Sequence, residues 1–145
     1  MLRLCLLVLL AALTACDKPL TVEQRVIATI REMESTIEAG ERRAFMAHIA
    51  EDFSGQQEVM TRDQVQAMVL FQLTRHKSLQ VQLFPIRVTE TGRGLASASF
   101  TALVTGGPNW IPEHGQLFEF DTRWLLVDNE WLLQSANWKP AVLEN

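Results

Sequence analysis

Leu79-Gln80-Val81-Gln82-Leu83 alternates apolar and polar side chains, a period of two that puts one set on each face of a β-strand. Upstream of this stretch the apolar residues recur every three or four positions, the spacing of one helix face. Downstream, the two-residue period continues almost to the end of the chain. The change at Ser78 therefore separates a helical half from a β half. Elements that follow one another in blocks, rather than interleaving, predict an α+β fold with about three N-terminal helices packed on a curved antiparallel sheet of about four long strands.

Reading back from Ser78, Thr21-Val22-Glu23-Gln24 has the form of a capping box, with Thr21 as N-cap and Gln24 reaching back to it. Val22, Val26, Ile30, Met33 and Ile37 then form one apolar helical face, and Gly40 ends the helix in the left-handed conformation. A second, shorter helix is expected next, with Phe45, Ile49 and Phe53 on its inner side. Ser54 to Glu58 is polar and contains a glycine, so it reads as a loop or a very short strand. Thr61-Arg62-Asp63-Gln64 repeats the capping box and opens a third helix. Its stripe of Val65, Met68, Val69 and Leu73 is widened by Leu70 and Phe71, and such breadth predicts burial on more than one side.

Reading forward, Pro85 marks an edge position or a bulge, and Thr91-Gly92-Arg93-Gly94 is a turn. Ala96, Ala98, Phe100, Ala102 and Val104 alternate with Ser97, Ser99 and Thr101 in the next strand, which Gly106-Gly107-Pro108 breaks. A third strand runs from about Gln116 to Val127, Asp128-Asn129 makes a tight hairpin turn, and Trp131 to Trp138 is the last strand. On the third strand Phe118, Phe120 and Trp124 oppose Glu119, Asp121 and Arg123. The apolar set is assigned to the core; the alternative places one of the carboxylates at a pocket mouth.

The 145 residues suit one domain, and 48% hydrophobic content excludes intrinsic disorder. Thirteen basic against seventeen acidic residues give −4, so there is no electrostatic footprint for nucleic acid, and no nucleic-acid partner is expected. The order of elements, the Glu38-Ala39-Gly40-Glu41 helix break, the Ile49-Ala50-Glu51-Asp52-Phe53 segment and the closing Asp128-Asn129-Glu130-Trp131 hairpin resemble nuclear transport factor 2-like (NTF2-like) proteins. That superfamily also holds the ketosteroid isomerases and the SnoaL-like polyketide cyclases. The resemblance covers Val22 to Trp138. It implies a cystatin-like cone with an apolar pocket between the helices and the concave sheet, and a homodimer formed through the sheet.

The resemblance does not carry the isomerase chemistry with it. Ketosteroid isomerases move a proton with a carboxylate and hold the enolate oxygen with a Tyr and a protonated carboxyl. By the resemblance, the Tyr position falls on Met33 and the carboxylate position on Gln57, with Glu58 one residue away. A thioether donates no hydrogen bond and an amide is no base near neutral pH. The chain contains no Tyr at all. His48 and Asp52, four residues apart on the expected second helix, could form an oriented base or a plain surface pair. His76 lies in the last turn of the third helix and His114 in a loop. No metal-ligand spacing and no cofactor fingerprint appears, so neither a metal nor a cofactor is expected. Trp110-Ile111, between Pro108 and Pro112 on a connection of about ten residues, is a candidate contact for a ligand, a partner or a lipid headgroup, or else a lid over the sheet edge.

The first residues read as an address. A basic start at Arg3 precedes an uncharged run from Leu4 to Leu13, too short to span a bilayer and typical of an export signal. Leu13-Thr14-Ala15-Cys16 resembles the lipobox of bacterial lipoproteins, which implies cleavage before Cys16 and acylation of its sulfur. Membrane attachment is then through the lipid on Cys16, and Asp17 to Leu20 form a tether reaching at most about 14 Å. Cys5 would leave with the signal peptide. An Asp after the lipidated Cys resembles the inner-membrane retention signal of enteric bacteria, while Lys18 is not among its strongest partners, so both membranes stay open.

The chain is thus divided into a signal peptide at 1–15, a tether at 16–20, the folded domain at 21–140 and a tail at 141–145. The leading expectation is an envelope lipoprotein, facing the periplasm, that binds a small apolar ligand or an envelope protein without catalysis. The rivals are a SnoaL-like enzyme with an acid or base at Glu58, Asp52 or His48, and a structural dimerisation module.

Overall fold

The computed structural model describes residues 18–75, 79–106 and 115–141. The readings made for Cys16, His76, Trp110, Ile111 and His114 lie outside these residues. The first helix, α1 (Val22–Glu38), starts on the expected capping box: the Gln24 amide donates to Thr21 Oγ1 at 3.2 Å, and the Thr21 amide donates to Gln24 Oε1 at 2.9 Å. It ends as expected at Gly40, whose φ of +72° lets the amides of Gly40 and Glu41 turn back onto the carbonyls of Ile37 and Thr36. Val26, Ile30 and Met33 are buried, with Val22 and Ile37 packed beside them.

The second helix is shorter than expected. It occupies only Arg42–Ala47 (α2), and Ile49–Gly55 is instead a strand, β1. Ile49 and Phe53 do share the buried face, but a separation of four residues leaves two side chains on one side of a strand as well as of a helix. The spacing alone could not separate the two. After β1, Gln56, Gln57 and Glu58 all take positive φ (51°, 59° and 71°). The last strand of the chain, Glu130–Pro140, fixes this left-handed turn: the Gln56 side-chain amide brackets the backbone of Trp138, and the Gln57 backbone amide donates to Asn137 Oδ1 at 2.7 Å.

A two-residue strand, β2 (Met60–Thr61), leads into α3 (Arg62–Arg75), where Thr61 and Gln64 form the second capping box. Only Val65 and Val69 of α3 are buried. Leu70 and Phe71 are exposed, so the expected burial on several sides is corrected to a single buried line. Arg75 lies over the Phe71 ring at 5.8 Å and covers part of that apolar surface.

Five further strands follow: β3 (Leu79–Leu83), β4 (Arg87–Gly92), β5 (Leu95–Gly106), β6 (Gln116–Val127) and β7 (Glu130–Pro140). The sheet has seven strands in the order β2-β1-β7-β6-β5-β3, and β4 also pairs with β5. The strand count is larger than the expected four, and the sheet is mixed rather than antiparallel because β1 runs parallel to β7. The extra strands have simple origins. β3 and β4 line the same edge of β5 end to end, with the Phe84 amide still bonded to Thr101 between them. They are one edge strand interrupted at Pro85, where the sequence placed an edge or a bulge. The β6–β7 turn at Asp128-Asn129 has φ of 49° and 65°, as a primed hairpin turn requires, and Arg25 of α1 donates to the Asn129 carbonyl at 2.6 Å.

Candidate functional site

The helices and the sheet do not close on each other completely. Between α1, α3 and the sheet lies a cavity of about 660 Å³, lined by residues such as Ile30, Met33, Val69, Phe120, Trp124 and Trp138. The face of β6 that lines it carries Phe118, Phe120, Thr122 and Trp124, so the concave side is the apolar one. Glu119, Asp121 and Arg123 are all exposed. Lys139 on β7 pairs with Glu119 at 3.0 Å, as befits a solvated sheet face.

Strand register builds the cavity wall. Phe120 stands opposite Phe100 on one neighbour and Trp138 on the other. The rings stack at 5.1 Å from Phe100 and 6.2 Å from Trp138, an arrangement that adds to the gain from burial. On β7 the inward side chains change parity. Leu133 faces in, but so do Ala136 and Trp138, because Arg123 pairs with Ser135 and Trp124 with Leu133. Gln134 is the unpaired extra residue of a β-bulge.

Polar groups are few. Thr122 is buried, and its hydroxyl is fully engaged: it donates to the Ala98 carbonyl at 2.8 Å and accepts from Trp124 Nε1 at 2.8 Å. Glu34 is the one ionisable residue lining the cavity among the described residues. Its side chain is 16% exposed, and its Oε2 pairs with Arg31 at 3.0 Å, the arginine being 49% exposed. Gln72 and Gln116 complete the polar lining.

The residues singled out from sequence do not meet here. His48 caps the end of α2, with Glu32 of α1, not Asp52, as its carboxylate neighbour at 3.9 Å. Asp52 is exposed on β1, and Glu58 is exposed in the left-handed turn. None of the three lines the cavity. The His48–Asp52 helical pair is lost because Asp52 belongs to a strand. Met33, where the resemblance put a Tyr, does line the cavity, while Gln57 is exposed. Glu34 was missed. Its signal was legible: it lies four residues after Ile30 and three before Ile37, a charge set within the apolar stripe of α1. Among the described residues no three His, Cys, Asp or Glu side chains come together to hold a metal ion.

No protein-family model and no curated protein matches the chain. Solved structures do. Bd1075 of Bdellovibrio bacteriovorus superposes with a TM-score of 0.72 at 8% identity over 83% of this chain and 41% of that one, so the chain spans less than half of that protein. A candidate dehydratase from the NTF2-like family of Streptomyces avermitilis gives 0.69 at 16% identity, covering 83% of this chain and 97% of its own. An uncharacterised Caulobacter vibrioides protein with a cystatin-like fold gives 0.67 at 15%, covering 81% and 88%. The fold is NTF2-like. Within this fold the concave apolar cavity takes the place the resemblance implied, between the helices and the sheet. No helix among the described residues is long and apolar enough to cross a membrane.

Proposed function

We propose that this NTF2-like chain is a lipid-anchored envelope protein that holds a small apolar molecule in its cavity without transforming it. The observation that carries the reading is the contrast between a cavity of about 660 Å³ with an aromatic wall and the scarcity of reactive groups in it. Ligand sites of this class measure a few hundred to about 1,000 Å³ and combine an apolar lining with a few polar groups. At roughly 30 Å³ per water-sized volume, 660 Å³ accommodates a ligand of about twenty non-hydrogen atoms. Acid–base catalysis draws on positioned titratable groups, and here Thr122 is engaged, Met33 is inert and Glu34 is tied to Arg31. The lipobox-like Leu13-Thr14-Ala15-Cys16 supports anchoring through Cys16 and a periplasmic location.

Organic extraction of the purified chain followed by mass spectrometry tests the binding reading. The wild type should release an apolar molecule in near-stoichiometric amount. Ala102→Phe, which adds a ring to a buried residue of the cavity wall, should release none. Identical extracts from the two proteins would exclude the cavity as the binding site. The candidate-dehydratase neighbour and a carboxylate in the cavity favour one second reading, an enzyme with Glu34 as its acid or base. Conversion of the recovered molecule by wild type but not by Glu34→Gln would replace the first reading with this one.

A further inference from the structure

The polarity of the cavity is one-sided. Its one buried polar side chain, Thr122, has a donor and an acceptor already in place for its hydroxyl, and its cross-strand neighbours are Ala98 and Ala136. That stretch of wall accepts hydrocarbon only. The remaining polar residues sit where elements end: Gln72 in the last turn of α3, Gln116 at the start of β6 and Glu34 near the C-terminal end of α1. The register gathers the strand ends, because Leu79 pairs with Gly106 and Val104 with Gln116, and the Val81 amide of β3 donates to Glu38 Oε1 in the last turn of α1 at 2.8 Å.

Among the described residues, the one ionisable group that lines the cavity here is a carboxylate, Glu34. Glu34 Oε2 is taken by Arg31, but Oε1 receives no hydrogen bond from the described residues. Arg31 is half exposed and does not line the cavity, so a ligand inside meets the carboxylate and not the guanidinium. The last turn of α1 has no basic residue, so no side chain of that turn offsets the partial negative charge of the helix end. Arg75, in the last turn of α3, is engaged over Phe71.

We infer that the cavity selects an amphiphile by its head, taking an apolar body capped by a single hydrogen-bond donor, best a cationic amine, which binds Glu34 at the rim. Carboxylate-headed amphiphiles such as fatty acids are discriminated against. This inference rests on the cavity-binding reading above and adds the ligand's chemical class.

Three ligands that share a dodecyl chain and differ only in the head separate the two claims. Dodecylamine, dodecanol and dodecanoate would each be titrated against N-phenylnaphthylamine bound to the purified full chain, with protein-free samples as the blank. The amine should displace the probe best and the alcohol next. Dodecanoate should be at least about tenfold weaker than the amine, as a like charge buried beside Glu34 requires. Glu34→Gln should bring amine and carboxylate within about threefold of each other, with each displacement referred to the variant's own affinity for the probe. Dodecanoate equal to dodecylamine on the wild type would overturn the head-group inference while leaving the cavity reading intact. So would a preference that survives in Glu34→Gln. A wild type that binds neither probe nor ligands would remove both. The wild-type series decides the inference even where the variant fails to fold.

Discussion

Thr122 shows how one side chain can hold a polar atom in an apolar wall. Its hydroxyl serves two partners at once, the Ala98 carbonyl and the Trp124 indole, and its loss would leave the indole N–H without its acceptor. Thr122→Val keeps the shape and removes the partner of a buried indole N–H, at a cost of about 1–3 kcal/mol. Thr122→Ser, which keeps the hydroxyl, should lose less; chemical denaturation of the two variants checks the order. Gln57 offers the opposite sign. It is exposed, its side chain makes no hydrogen bond among the described residues, and its φ is +59°. Left-handed backbone costs a non-glycine residue about 1–2 kcal/mol, part of which glycine returns as chain entropy in the unfolded state. Gln57→Gly should therefore raise the thermal midpoint slightly, and a fall would mean that the turn draws on the Gln57 side chain.

At the scale of elements, α1 is the part most fully legible in the sequence. Its capping box, apolar stripe and left-handed stop are each local signals, and each is present. Ile30→Asp puts a charge at a position that is 4% exposed and should cost several kcal/mol, roughly. Thr29→Asp, on the flank of the stripe, should be much milder, and equal midpoints would contradict the buried face. β1 was not legible, because Phe45, Ile49 and Phe53 fit either period and the pairing of β1 with β7 joins residues about eighty positions apart. The breadth of α3 misled for a related reason: apolar side chains on a helix announce a face, but whether anything covers it depends on distant elements, and Leu70 and Phe71 remain exposed. Of the site, the apolar wall of β5 and β6 was visible as alternation. Glu34 was visible only as a charge within the apolar stripe of α1.

For the whole molecule, the pattern of helices first and sheet after sufficed to imply an α+β fold, the resemblance implied the cone, and solved structures at 8–16% identity share the fold. Function does not travel that far, so address and ligand need their own measurements. Cys16→Ser should abolish labelling by a palmitate analogue, since the sulfur is the expected acceptor; retained label would end the lipoprotein reading. The cavity itself depends on how the sheet absorbs a single surplus residue. Leu133 before Gln134 and Ala136 and Trp138 after it face the same interior. A strand is read in twos, so a surplus residue acts as a frameshift does in a message unless it is skipped in the reading. The bulge at Gln134 is that skip. Pairing Gln134 as an ordinary strand residue would send Ala136 and Trp138 to water and deliver Ser135, Asn137 and Lys139 inward, whereas deleting it should leave both inward.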